Sequence, residues 1–375
     1  MKIAQVTEFF APWSGGIGEH VACLSRELRA RGHDVRILTS RFRVKGGAPI
    51  DPSLEPHTYR LGPNIRFPYN GGMASVTYRP GLPQALDALF ERESFDVVHI
   101  HNPFTPMLPL LALDRSPAVN VGTFHSYHPT ERMLRWWNWV LRARQDRLPL
   151  CIAVSPAAQT AFARYFQRDY EIVPNGIDLQ RFAPNGHQPA PNGEQRLLFV
   201  GHLVPKKGLS VLLDAFEGLS AELPRLRLDV VGDGPLAAPC RRQLGAEARS
   251  RVTFHGSVHG DQLAAFYRQC DVFVAPSIGH ESFGITLLEA MAAGKPIVAA
   301  RIPGYSDVVR EGQEALLHTT ADARDLRDVL RRIVTDAGLR TTLGAGGRRR
   351  AEEFAWPRIA ARVETHYERL LRERC

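Results

Sequence analysis

No run of about 18 apolar residues, the length a helix needs to cross a bilayer, occurs anywhere in this 375-residue chain. Nor is there a C-x-x-C pair. The five cysteines (Cys23, Cys151, Cys240, Cys270, Cys375) are scattered, which argues against a disulfide framework or zinc site and for a reducing, cytoplasmic setting. The opening MKIAQVTEFF lacks the apolar centre of a secretory leader and reads as a first buried strand. Basic strands interleaved with aromatics are also missing, so a nucleic-acid-binding reading has only net charge behind it and nucleic acid is not an expected partner. That charge is +8, which favours anionic partners such as nucleotides or acidic lipid. With 44% hydrophobic and 23% charged residues, the composition is that of an ordinary soluble protein. The chain is too long for one core and suits two domains.

Lys2–Thr7 predicts a strand, which runs into Pro12-Trp13-Ser14-Gly15-Gly16-Ile17-Gly18. A helix over Glu19–Ala30, stopped by Gly32, and a strand at Asp34–Thr39 follow. This is the opening of a doubly wound domain, whose glycines let backbone approach a phosphate, although the loop does not meet G-x-G-x-x-G. Short strand-like pieces appear at Thr58–Leu61 and Ala74–Tyr78, and a helix at Gln84–Arg92. Further strands are expected at Phe95–His101, Val119–His125, Cys151–Val154 and Glu171–Pro174, with a helix near Pro156–Phe166. Residues 183–195 read as a linker, after which the plan restarts. Arg196–Gly201 is a strand, 203–208 a loop with Lys206-Lys207, and Leu209–Leu219 a helix. Strands at Leu226–Val231, Val252–His255, Asp271–Ala275 and Pro296–Ala300 come next. The last helix, from about Pro357, carries Ile359, Val363, Tyr367 and Leu370 on one face. Two such starts predict two similar α/β domains with a ligand at the carboxyl ends of their sheets.

The stretch His280–Pro296, HESFGITLLEAMAAGKP, has the order of a site: loop, acid, Ser282-Phe283-Gly284, helix, and Gly294 as a stop. Phe283, Gly284 and Ile285 would offer backbone N–H groups at a helix N-terminus, where the dipole favours an anion. Glu281 would stand before the helix, and Glu289 about two turns further along the same face. Two carboxylates beside a phosphate-friendly helix end suit a nucleotide sugar. An ordinary amphipathic helix with two solvated glutamates shows the same pattern. His99-x-His101 and His125-x-x-His128 lack an accompanying carboxylate or thiolate set, so they read as core or cleft histidines and no metal is expected.

Taken in order, SGGIGEHV (14–21), DVVHIHNP (96–103), GTFHSYHP (122–129), AVSPAA (153–158), VPNGID (173–178), VGHLVPKKG (200–208), VVGDGP (230–235) and the 280–296 stretch resemble the family 4 retaining glycosyltransferases. The likeness spans nearly the whole chain. With FPYNGGM at 67–73, it is most like the bacterial phosphatidylinositol mannosyltransferases, followed by diacylglycerol glycosyltransferases. The resemblance implies a GT-B fold: two facing Rossmann-like domains with a central cleft. Residues 1–180 would bind acceptor and 181–355 nucleotide sugar, with 356–375 a helix packing back toward the first domain. It implies a hexosyltransferase, with mannose from GDP-mannose favoured and a lipid acceptor such as phosphatidylinositol or diacylglycerol. A UDP-sugar enzyme with a soluble or polysaccharide acceptor, or a sugar-nucleotide binder without turnover, remains the alternative.

Roles follow from the same resemblance. Gly15 and Gly16 would approach the donor β-phosphate, and Lys207, with Lys206, would offset the diphosphate charge. His125 would sit beside the transferred sugar. Glu281 would bind sugar hydroxyls and Glu289 the ribose, while the Gly256–Val258 segment would hold the base by its backbone. No Asp-x-Asp pair is present, and none is needed where lysine and helix termini replace a metal. Two stretches depart from the family: His202 stands where an arginine is usual, and VHGDQL (258–263) lacks the acidic and lysine contacts to guanine.

Residues 131–147, ERMLRWWNWVLRARQDR, hold three tryptophans and five arginines. Arg135, Trp136, Trp137, Trp139 and Arg142 are candidates for docking an anionic membrane at the inner face of the plasma membrane, because indoles suit headgroup depth and arginines meet lipid phosphates. A helix packed on its domain with solvated arginines is the other reading.

Overall fold

Five of the six residues of Lys2–Thr7 (β1) are buried, as expected for a strand covered on both faces. The computed structural model describes residues 1–13, 15–42, 50–69, 72–125, 142–184, 193–279 and 281–374. They fall into two units, Met1–Gly176 with Trp356–Cys375, and Ile177–Ala355. The division comes at Gly176, a little before residue 180, because the Ile177 N–H donates to the Phe354 carbonyl (2.9 Å) and so ties Ile177 into the second unit.

In the first unit β1 is followed by β2 (Asp34–Arg41), β3 (Thr58–Tyr69), β4 (Gly72–Thr77), β5 (Val97–His101), β6 (Val119–Phe124), β7 (Leu150–Ala153) and β8 (Tyr170–Ile172). They form one sheet in the order β4-β3-β2-β1-β5-β6-β7-β8. All pairings are parallel except the β3–β4 hairpin. That hairpin corrects the sequence reading, which stopped the third strand at Leu61. Gly62-Pro63 looks like a break, since proline cannot donate to a ladder. Here the Pro63 carbonyl accepts from the Tyr78 N–H (2.8 Å), and the strand continues. The helix Leu108–Arg115 was not anticipated either. Its Pro109 occupies the first turn, where a missing N–H costs nothing. The first helix starts at Gly16 rather than Glu19, with Gly15 as its cap.

The C-terminal helix Trp356–Arg374 belongs to this unit. Trp356, Ile359, Ala360, Val363, Tyr367 and Leu370 are buried among Ile3, Leu24, Leu28, Val97 and Val121. Glu364 on its outer side pairs with Arg31 (2.5 Å) and His33 (2.6 Å).

The second unit has six parallel strands: β9 (Gln195–Val200), β10 (Leu226–Val231), β11 (Val252–Gly256), β12 (Val272–Ala275), β13 (Ile297–Ala300) and β14 (Ala315–His318). Their order is β11-β10-β9-β12-β13-β14. The edge strand β14 is only four residues long, too short for a period-2 signal. Leu212, Leu213, Phe216 and Leu219 of the helix Leu209–Glu222 pack with Leu326, Leu330 and Ile333 of the helix Ala323–Thr335 in one core. Among the described residues no helix is long and apolar enough to cross a membrane.

Candidate active site

Strand order reverses direction between β9 and β12 in the second unit, and in doubly wound sheets ligands bind at the carboxyl ends of such a pair. The loop leaving β9 carries Lys206 and Lys207, and the loop leaving β12 carries Glu281. The Ile278 N–H donates to the Lys206 carbonyl (2.9 Å), which joins the two loops. Gly208, at φ 68, lies so close that a Cβ would stand 2.0 Å from the Pro276 carbonyl oxygen. Lys207 Nζ and Glu281 Oε1 meet at 2.8 Å. Burial pulls the Lys206 ammonium below its ordinary range, although Glu281 opposes that shift. Two cations and a carboxylate thus share one small volume. Lysine still has donors to give after one contact, and a carboxylate has several lone pairs, so the pair can bind an anion and a hydroxyl at once. His202 lies on the same loop and is exposed.

The helix Ile285–Ala292 begins at Gly284, which has no side chain to cap it. Phe283 is buried against Phe354, with ring centroids 6.0 Å apart. Gly284 has φ 90, and a Cβ there would come within 2.7 Å of the Tyr305 ring. Tyr305 is buried and its hydroxyl bonds Ser277 (2.8 Å), so the ring cannot retreat. Gly284→Ala is therefore expected to destabilise the Ile177–Ala355 unit by about 2–4 kcal/mol, from backbone strain plus overpacking. An unchanged melting temperature would refute this. Further along the helix, Glu289 accepts from the Tyr267 hydroxyl (2.6 Å). The sequence reading missed Tyr267. It is fully buried, with its ring against Phe182 (5.6 Å) and Phe273 (5.3 Å), so it looks like core until its hydroxyl is traced.

The first unit has its own switch point, between β1 and β5. Four histidines gather there. His125 follows β6, and its backbone N–H donates to Asn102 Oδ1 (2.9 Å). Its Nε2 is 2.9 Å from His101 Nδ1. His20, on the first helix, bonds Asn175 Oδ1 (2.8 Å) and lies edge-on to His125 with centroids 4.7 Å apart. His99 stacks on His101 at 4.5 Å. Burial holds all four imidazoles neutral: His20 falls to about 4 and His99 to about 3, and His101 and His125 lie well below the usual range. One nitrogen each from His20, His101 and His125 lie within 4.8 Å of one another, close enough to be a cation's ligand set. Lone motifs did not disclose this cluster, because His20 comes from a helix, His99 and His101 from β5, and His125 from the residue after β6. Glu8, after β1, is also buried. It accepts from the Thr77 N–H (3.0 Å), the Thr77 hydroxyl (2.8 Å) and the Leu108 N–H (3.3 Å), yet burial still lifts its carboxyl to about 7.

Gly15 and Gly16 are exposed at the start of the first helix. Val258 is half-buried beyond β11, where the Gly256 carbonyl accepts from the Gly232 N–H (2.8 Å). Arg135, Trp136, Trp137 and Trp139 lie outside the described residues, and Arg142 is exposed. Arg144 is engaged by Asp114 through two bonds of 2.7 and 2.9 Å.

Residues 14–181 match the family described as Glycosyltransferase Family 4, and residues 185–350 that described as Glycosyl transferases group 1. A phosphatidyl-myo-inositol mannosyltransferase of Mycobacterium leprae is 32% identical over 98% of this chain and 96% of its own length. The chain belongs to the family 4, group 1 glycosyltransferases. This glycosyltransferase is accordingly an enzyme that transfers sugars, and its two Rossmann-like sheets are those of the GT-B fold. A phosphatidyl-myo-inositol mannosyltransferase of Propionibacterium freudenreichii is 29% identical over 98% of the glycosyltransferase and 94% of its own length. Among solved structures, a sucrose-phosphate synthase from Thermosynechococcus elongatus matches with TM-score 0.79 and 25% identity, covering 99% of both chains.

Proposed function

We propose that this glycosyltransferase moves mannose, with retention, from GDP-mannose to a lipid of the phosphatidylinositol class. The observation that carries the reading is its end-to-end likeness to a protein named phosphatidyl-myo-inositol mannosyltransferase. The charge arrangement supports the chemistry. Breaking the anomeric bond leaves positive charge on the sugar and adds negative charge to the diphosphate. Catalysis then consists of donors and charges already in place where that charge grows. In this reading Lys207 and Lys206 face the diphosphate together with the Phe283–Ile285 backbone, and Gly15 and Gly16 approach the β-phosphate. Glu281 accepts from sugar hydroxyls, and its contact with Lys207 holds it there. Glu289, oriented by Tyr267, takes the ribose. Val258 belongs to the backbone segment that holds the base, and His125 adjoins the transferred sugar. His202 is a weaker phosphate partner than the arginine usual in the family, and the transfer requires no metal. Arg135, Trp136, Trp137, Trp139 and Arg142 bring the enzyme to an anionic inner membrane face.

Purified protein with GDP-mannose and phosphatidylinositol-containing liposomes is expected to form mannosylated lipid, detected by mass spectrometry, at equal rates with and without EDTA. UDP-glucose in place of GDP-mannose should give no product. Transfer from UDP-glucose, or product only with a soluble acceptor, would overturn the donor or acceptor assignment respectively.

A further inference from the structure

We infer that His20, His101 and His125 form a binding site for one divalent cation of the zinc class, and that the cation switches transfer off by occupying His125. The site stands on geometry alone, and only its effect on transfer rests on the proposed role of His125 beside the sugar. One ring nitrogen from each residue lies within 4.8 Å of the other two. His101 Nδ1 and His125 Nε2 already face each other at 2.9 Å. A tetrahedral zinc with bonds of about 2.0–2.1 Å holds its nitrogens about 3.3 Å apart. The set spans that value, so modest ring rotations close it around an ion. All three side chains are buried, and they stand on the first helix, on β5 and directly after β6. His99 is not a fourth ligand, because the Tyr367 hydroxyl and Thr123 Oγ1 (2.6 Å) engage both of its nitrogens.

Two carboxamides anchor the outer side of the set. His20 Nδ1 is 2.8 Å from Asn175 Oδ1, and His101 Nε2 is 2.7 Å from Gln5 Oε1. An imidazole bound to metal through one nitrogen keeps a proton on the other, and a fixed oxygen acceptor there orients the ring. A single proton lies between His101 and His125, whichever ring carries it. On metal binding it passes to the outer nitrogen of the same ring, so each imidazole stays neutral and no proton is lost. Imidazole nitrogen suits zinc, cobalt, nickel and copper, whereas magnesium and calcium take oxygen ligands. Three protein ligands leave a fourth position for water. With its Nε2 on the ion, His125 is no longer free to meet the sugar. The ion is an inhibitor and not a cofactor, so metal-free protein transfers at its full rate.

Metal-free, full-length protein titrated with zinc chloride in a calorimeter, and with cobalt chloride followed by visible absorption, tests this. One zinc ion per chain is expected, with Kd about 1 μM or tighter, and no binding of magnesium. X-ray absorption at the zinc edge should count three imidazoles. His20→Gln and His101→Gln should each weaken binding at least about a hundredfold, since losing an outer partner alone costs roughly 10–100-fold. Zinc at about ten times its Kd should lower transfer about tenfold, and EDTA should restore it. A Kd weaker than about 100 μM, fewer than three imidazoles, or unchanged affinity in either folded variant would overturn the site. Should both variants fail to fold, the wild-type X-ray absorption still decides. Zinc held by three imidazoles with undiminished transfer would support the site and overturn its inhibitory effect. Binding is measured without donor or acceptor, so the site stands or falls independently of mannose transfer.

Discussion

Lys207→Ala is expected to slow sugar transfer about a hundredfold or more, equivalent to roughly 3 kcal/mol of lost transition-state stabilisation. The reason is the placement of the Lys207 ammonium, 2.8 Å from Glu281 at the ends of β9 and β12. An ammonium on a diphosphate gains strength as the leaving group takes up charge, so its loss falls on kcat more than on donor binding. The substitution also strands the Glu281 carboxylate, whose side chain is only 10% exposed. A second variant separates the two effects. Lys207→Ala with Glu281→Gln removes the uncompensated charge and should recover melting temperature lost by the single variant. It should not recover turnover. Initial rates and thermal melts of wild type, both single variants and the double variant complete the cycle. Wild-type kcat in folded Lys207→Ala would remove the lysine from the mechanism.

Acid should unfold the Met1–Gly176/Trp356–Cys375 unit well before the other. The four clustered histidines have native values held below the ordinary 6.5 by burial. For an imidazole kept neutral in the native state, the stabilisation is fully present above about 6.5 and is lost as the pH falls below it, because only the unfolded chain takes up the proton. Each such site contributes about 1.4 kcal/mol per pH unit, or about 5 for four. Glu8 acts in the opposite sense. Its carboxyl is raised from 4.5 to about 7, so between those values the native state holds a proton that the unfolded chain has released. Its contribution is present below 4.5 and lost as the pH rises through 7. The net loss between pH 6 and 5 is therefore about 4 kcal/mol, a large part of the 5–15 kcal/mol typical of a domain. In the Ile177–Ala355 unit, His318 is the buried histidine among the described residues, so its acid sensitivity should be much smaller. Calorimetry and urea unfolding at pH 7.5 and 5.5 measure both transitions. Equal midpoints at the two pH values for the first unit would show that the histidines are not held neutral.

Periodicity and punctuation in the sequence were enough to place β1, β9, most other buried strands and the face Ile359–Val363–Tyr367–Leu370 of the last helix. These depend on side chains within a few residues of one another, and local pattern reports them directly. The same holds for Gly284, where a glycine before an apolar helical run marks the cap. The far part of β3 escaped because Gly62-Pro63 reads as a break, although the Pro63 carbonyl still pairs across the β3–β4 hairpin, and the four-residue edge strand β14 was missed as well. The motifs named Lys207, Glu281 and His125 as candidates but could not give their partners. Only the adjacency of β9 and β12 brings Lys207 to Glu281. Only the meeting of the first helix, β1, β5, β6 and the C-terminal helix makes one network of His20, Gln5, His101, His125 and Tyr367. Amino-acid type determines that an imidazole can donate or accept. Which of the two it does is settled by the neighbour that reaches it first, and for these residues that neighbour is chosen by tertiary structure.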